Sequence, residues 1–445
     1  MVKPRPEQKT VTIVDEYCSL YRDLFPEVRS YEYFKYLHIG LISGIKRKTL
    51  PAIAREVGLE NEQGLHHFLT SSPWLVKELK ERRLKVILSA LEGREITVII
   101  DETGDKKKGK TTDYVKRQYI GNIGKVENGI VSVNAYGLIE GMTFPLTSEV
   151  YKPKERLKEG DTYKSKPSIA AGMVKELGSK GFKIKRVLAD SEYGESGSNF
   201  LSILEELGIE YAVAIRSNHS VLMAPGQRVR RNRWHRFDRI HSDGKREKRY
   251  IREIIFGKRR KVRYWEITTD KETIPEETTW YVLTKIEGIS VEEVGNIYGE
   301  RTWVEYGFRQ SKSELGWSDY RLTDYQDIEK WWELVMSVYL MVSLQGSVFQ
   351  SQGQKENRSS NQKTAREIAG THPWWSVGKG WKDNLNNIRL FIETFGYLNR
   401  LKAWLCVFFT PRLIHCFSFL YTQLNRLINS LLESVFPCHF CLTLP

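Results

Sequence analysis

An α/β fold with a mixed sheet, a β-rich insertion and helical regions at both ends is expected from the texture of the chain. Residues 11–92 and the C-terminal part repeat apolar positions at helical spacing, as in Val11, Val14, Cys18, Tyr21 and Phe25. From Glu95 onward the pattern changes to short apolar runs. These read as three strands, a helix, a strand, a helix and a strand. Residues 217–285 interrupt that order with alternating, strongly basic segments.

The first helical region contains KTLPAIAREVGL and ENEQGLHHFL, joined through Gly58. This stretch reads equally as a helix-turn-helix for a DNA groove or as plain helix packing. His66 and His67 are adjacent, so they cannot share a helix face as a metal pair. Gly93 ends the helical region. EITVIID then forms a strand ending in Asp101. GIVSVNAYGLI and MTFPLTSEVY form a hairpin across Glu140-Gly141. A helix over Pro167–Leu177 precedes KIKRVLAD, a strand ending in Asp190. A helix over 200–207 and the strand EYAVAIRS come next.

In the insertion, RVRRNRWHRF, REKRYIREIIF, RRKVRYWEITTD and TWYVLTKI alternate cations with aromatic or aliphatic residues. Between Pro225 and Arg263 there are 16 Lys or Arg against 4 Asp or Glu, which is +12 of the net charge of +14. A solvated basic face is the bland reading. So much like charge in one module repels itself unless a polyanion meets it, which favours contact with a nucleic-acid backbone. Arg228, Arg230, Arg231 and Arg233 are the leading candidates. Further on, Trp331–Leu344 is apolar but shorter than 18 residues and interrupted by Glu333, so it reads as a buried helix. Residues 351–366 read as a linker. LNNIRLFIETF and LNRLINSLLESVF read as C-terminal helices.

Composition narrows the class. A basic chain of 445 residues with 12 Trp and 22 Tyr is a large folded protein whose default partner is nucleic acid. Five Cys are too few for a disulfide scaffold. Cys438 and Cys441 have a metal-like local spacing, but Cys406 and Cys416 do not form a matching pair. The start, MVKPRPEQKT, lacks the apolar core of a secretory signal. Residues 403–421 are broken by Pro411 and Arg412. The expectation is a cytoplasmic, nucleoid-associated protein with no membrane span.

The chemistry centres on three carboxylates. Read as one helix, Tyr298 to Gly316 places Tyr298, Arg301, Glu305 and Lys312 within an arc of roughly 60°. A carboxylate among cations is usually only a surface network. However, Asp101 and Asp190 sit at the C-terminal ends of apolar strands, where α/β folds place reactive groups. With Glu305 they would converge on one point. Three oxygen ligands without His or Cys select hard ions, Mg²⁺ or Mn²⁺. Two such ions about 4 Å apart would activate a nucleophile and steady the leaving oxygen of a phosphodiester.

These residues carry a resemblance. The chain resembles the DDE transposases of bacterial insertion sequences that bear a Y-x2-R-x3-E-x6-K signature. Tyr298, Arg301, Glu305 and Lys312 match it at every position. DETGDKKKGKTTDYVKRQYIGNIGKVENG, RLKEGDTYKSKP and VLADSEYGE resemble the family's aspartate blocks, over roughly residues 30–400 in all. Glu102 departs from the pattern, since relatives more often carry Asp there. The resemblance implies a ribonuclease-H-like catalytic domain over 94–216 and 286–350, a basic insertion at 217–285, an N-terminal DNA-binding region at 1–93, and a linker with helices over 351–445. It implies that Asp101, Asp190 and Glu305 hold two Mg²⁺ or Mn²⁺ ions. Arg301 and Lys312 would clamp phosphates, Tyr298 would contact the DNA end, and Arg117 would add a DNA contact. Double-stranded transposon ends and target DNA are the implied partners, with a homodimer synapsing two ends. Water would free a 3′-OH that then attacks the target.

Two rivals remain. Gly104–Thr111 is a literal G-x4-G-K-T match to a nucleotide-binding loop, but such a loop should open a helix directly, and TTDYVKRQYIGNIGK has no apolar period. An ATPase would show nucleotide binding that depends on Lys110. The other rival is a non-catalytic or repurposed sequence-specific DNA-binding protein, which would bind DNA without nicking it.

Overall fold

The computed structural model describes residues 5–241, 244–349, 373–376 and 378–408, with scattered positions from 412 to 423. Two compact units form, Met1–Glu92 with Arg309–Pro445, and Gly93–Phe308.

The first unit begins with α1 (Thr12–Ser19), α2 (Val28–Ile42), α3 (Leu50–Glu56), α4 (Gln63–Thr70) and α5 (Val76–Leu91). The spaced residues Val11, Val14, Cys18, Tyr21 and Phe25 are all buried, as their period requires. The α3–α4 turn passes through Gly58, whose φ of 75° suits a residue without Cβ. His66 and His67 are both exposed on α4. Gly93 comes directly after α5, whose cap Glu92 also turns left-handed with φ 50°.

The second unit is built on one sheet. Its elements are β1 (Ile96–Lys106), β2 (Lys116–Ile120), β3 (Lys125–Ile139), β4 (Met142–Val150), α6 (Lys166–Ser179) and β5 (Ile184–Ala189). The short helices α7 (Ser191–Gly194) and α8 (Ser202–Glu206) lead to β6 (Glu210–Ile215). The insertion supplies β7 (Val229–Arg231), β8 (His235–Ile240), β9 (Arg246–Phe256), β10 (Arg263–Thr268) and β11 (Trp280–Lys285). Then come α9 (Val291–Gly299) and α10 (Trp303–Arg309).

The sheet has 11 strands in the order β2-β3-β1-β5-β6-β11-β10-β9-β7, with β4 on β3 and β8 on β9. β1, β5 and β6 are parallel neighbours, and the remaining pairs are antiparallel. This is the mixed sheet of a ribonuclease-H-like fold. The predicted hairpin is present, with Glu140 and Gly141 both at positive φ between β3 and β4. The insertion strands extend the sheet, because β11 pairs with β6.

The phosphate-loop reading fails here. Gly104 to Lys106 belong to β1, a loop intervenes, and β2 starts at Lys116. No helix opens behind Lys110 and Thr111, so no row of helix N–H groups exists to hold a phosphate.

The chain returns to the first unit with α11 (Tyr325–Ser343) and α12 (Trp381–Val407). Glu333 breaks the apolar run of α11 and is 1% exposed. Arg83 on α5 is fully buried and donates to both of its oxygens. Tyr17 from α1 donates to the Ser337 carbonyl at 2.9 Å, and His38 from α2 meets Ser337 Oγ at 2.9 Å. Trp381 stacks on Tyr339 with centroids 4.4 Å apart. No described helix is long and apolar enough to cross a membrane. Cys406 and Cys416 are exposed free thiols. Cys438, Cys441, the linker over 351–366 and LNRLINSLLESVF lie outside the described residues.

Candidate active site

β1 and β5 run parallel side by side as far as the pair Ile99 and Leu188, and each carries an aspartate two residues beyond it. Asp101 is not at the strand end expected for it: it lies within β1 opposite Asn134 of β3, and the strand runs on, paired with β3, to Lys106. Asp190 stands just past the last residue of β5 and caps α7, where its Oδ1 accepts the Glu192 N–H at 3.0 Å. Its place at a strand end is thus also a helix N-cap, which suits a carboxylate.

Glu305 enters from α10. Arg301 joins it to the strands: Nη1 donates to Asp101 Oδ2 at 3.1 Å and Nη2 donates to Glu305 Oε1 at 3.4 Å. Burial pushes the Asp101 carboxyl up to about 7, Arg301 pulls it down, and Asp190 pushes it further up. Burial raises Asp190 too, again against Arg301. Burial opposes the Arg301 charge, yet Tyr298 and the surrounding carboxylates hold it protonated, above the usual range.

The segment from Tyr298 to Gly316 is not one regular helix. α9 ends at Gly299, a 3₁₀ turn spans Glu300–Thr302, α10 comes next, and a π-turn covers Gln310–Glu314. Gly299 is a weak helix former, and Thr302 Oγ1 donates to its carbonyl at 2.9 Å. Tyr298, Arg301 and Glu305 nevertheless remain neighbours, with Arg301 between the other two. Tyr298 is only 5% exposed and meets Trp280 edge-on, with centroids 5.5 Å apart. Lys312 lies in the π-turn.

Of the other expected DNA contacts, Arg117 on β2 is exposed, as are Arg228, Arg230, Arg231 and Arg233 on and beside β7. β7 faces solvent at all three of its residues, so the expected alternation fails there. It is a short edge strand paired only with β9. β8 keeps the alternation. Some of the insertion's positive charge is matched internally. Arg259 and Arg263 pair with Glu253, Arg252 with Glu266, and Arg249 with Glu247.

The sequence matches the DDE superfamily endonuclease family over residues 23–270. The chain belongs to the DDE superfamily of endonucleases. The probable transposase for insertion sequence element IS701 of Microchaete diplosiphon is 63% identical over 329 residues, covering 74% of this chain and 87% of the relative. DDE endonucleases use divalent metals. The matched stretch contains Asp101 and Asp190 and stops before Glu305. In this DDE endonuclease Glu305 is linked to Asp101 through the Arg301 bridge.

The donor set fits a divalent ion in chemistry: carboxylate oxygens gathered around a cation, one of them buried enough to resist ionising. Among the described residues, no three His, Cys, Asp or Glu side chains already form a closed ligand set. The reason is visible. Arg301 stands between Asp101 and Glu305, and the Glu305 side chain is 59% exposed.

Residue-type reasoning missed a second layer. Lys166, at the start of α6, lies 2.6 Å from Glu102 and 3.0 Å from Glu192. Tyr193 is fully buried, and its hydroxyl has no hydrogen-bond partner among the described residues. Burial raises its pKa well above the ordinary value, and Glu102 and Asp101 add to this. Arg239 is 6% exposed and lies over Trp280, 4.8 Å from the ring centroid. The sequence cue for Lys166 was its place directly before Pro167, at a helix start that disfavours cations.

Proposed function

We propose that this endonuclease is an insertion-sequence transposase that cuts DNA at the ends of a mobile element and joins them to target DNA. The observation that carries the reading is the Arg301 bridge from Asp101 to Glu305, beside Asp190 at the neighbouring strand end. In this reading Asp101, Asp190 and Glu305 are the metal ligands, for two Mg²⁺ or Mn²⁺ ions. Bound ions would supply Lewis acidity and a deprotonated attacking oxygen.

The protein's own part is positioning and charge. Asp101 is held by the Glu102 N–H, which its Oδ1 accepts at 2.8 Å. Asp190 is held by the start of α7. Arg301 keeps Glu305 at hand, and as a fork it can turn to a DNA phosphate once the carboxylates have another cation. Lys312 would act as a second phosphate contact. Tyr298 orients Arg301 from below, since it is buried and packed on Trp280. The exposed arginines of the insertion, with Arg117, track the DNA backbone. Binding to two ends would take two copies of the chain. The N-terminal helices, residues 1–93, would serve recognition, and residues 94–216 with 286–350 the chemistry.

Strand nicking of element-end DNA with Mg²⁺ tests the reading. Wild type nicks and Asp190→Ala does not, while DNA binding survives. Equal nicking by the two proteins would exclude this active site. Binding without nicking by wild type would favour a repurposed DNA-binding protein.

A further inference from the structure

Within two positions of each of the two aspartates stands a glutamate, Glu102 or Glu192, and both glutamates reach one lysine. Lys166 Nζ lies 2.6 Å from Glu102 Oε2 and 3.0 Å from Glu192 Oε2. The Lys166 and Glu102 side chains are each 16% exposed, so water competes little for the shorter contact. Lys166 is the first residue of α6, whose cap Ser165 accepts the Ser168 N–H at 3.3 Å. A cation there opposes the helix dipole, so α6 itself gains nothing from it.

The backbone leaves something for this lysine to do. The ladder between β1 and β5 ends with the pair Ile99 and Leu188. Asp101 and Asp190 both lie beyond that pair. Past it, no paired backbone row ties the two aspartates together. Lys166 joins the chain next to one aspartate with the chain next to the other.

We propose that Lys166 is a positioning residue for metal binding, which fixes the separation of Asp101 and Asp190 by clamping Glu102 to Glu192. This rests on the reading of those aspartates as ligands. A clamp and a mere neutraliser give opposite signs. Removing one positive charge from among four carboxylates would by itself strengthen the attraction for a cation. Loosening two ligands weakens binding, by about 10–100-fold for supports of this kind.

The test is a Mn²⁺ titration of the full chain without DNA, with free ion measured by electron paramagnetic resonance. Lys166→Met should bind Mn²⁺ about tenfold or more weakly than wild type. Lys166→Arg keeps a cation able to span both carboxylates and should recover most of that loss. Glu192→Gln breaks one arm of the clamp at a side chain that is 40% exposed, so its folding is little at risk, and it should lose affinity several-fold. Asp190→Ala should lose tight binding altogether. If Asp190→Ala binds Mn²⁺ as wild type does, the ligand reading itself falls. If Asp190→Ala loses binding while Lys166→Met or Glu192→Gln binds as tightly as wild type or tighter, the clamp is excluded.

Discussion

Arg301 donates to Asp101 and Glu305 at once, so neither carboxylate can turn toward another ligand without loosening its hold on the guanidinium. If the carboxylates are the metal ligands, cation exchange at this point would be tied to a movement of Arg301 that frees it for a phosphate. Glu305→Gln keeps the shape and one acceptor oxygen but lacks the charge. Cleavage should fall by more than the roughly 100-fold that marks loss of a merely supporting group. Binding to end DNA, measured by fluorescence anisotropy, should stay within about twofold, since phosphate contacts are untouched. Retained cleavage would remove Glu305 from the ligand set. The three candidate carboxylates were proposed from the sequence for local reasons. Asp101 and Asp190 close apolar runs in the sequence, although β1 continues past Asp101 to Lys106, and Glu305 falls four residues after an arginine. Lys166 was not legible, because its role depends on two glutamates 64 and 26 positions away meeting in space.

Helical periodicity identified α9 and α10 but missed the joint between them. A period read at 100° per residue assumes a straight axis. Gly299 and the Thr302 hydroxyl end α9 early, and a 3₁₀ turn joins it to α10. The burial of Tyr298 depends on Trp280 of β11, which no local pattern reveals. By contrast, the apolar period of α11 and its one acidic interruption were both plain, and only the partner was missing. Arg83 is that partner, fully buried against Glu333. Glu333→Ala would leave a guanidinium buried without a counter-charge, at a cost of about 3–5 kcal/mol. Urea unfolding should show a lower midpoint with an unchanged slope. A shift below about 1 kcal/mol would mean that water reaches Arg83.

The chain's net charge of +14 is concentrated in the insertion, and the fold divides that charge into two kinds. Arg249, Arg252 and Arg263 are committed to Glu247, Glu266 and Glu253. Arg228, Arg230, Arg231 and Arg233 face solvent on the sheet's edge. Composition counts both kinds alike, so it gave the partner's sign and overstated how many cations are available to DNA. Replacing the four exposed arginines with Gln should weaken binding to any duplex. It should also flatten the plot of log affinity against log salt, by up to about 0.9 for each phosphate no longer neutralised. An unchanged slope would assign the backbone contact to another surface.

The sheet is filled out of sequence order, and this has a temporal consequence. β1 to β6 are made before the insertion, but β6 finds its other neighbour only when β11 arrives, after the basic strands β7 to β10. Glu305 is made later still. During synthesis, then, both aspartates and the cationic edge emerge from the ribosome before the third carboxylate exists. The third carboxylate is thus among the last parts of its unit to be made, and the site stays incomplete until the whole insertion has been passed.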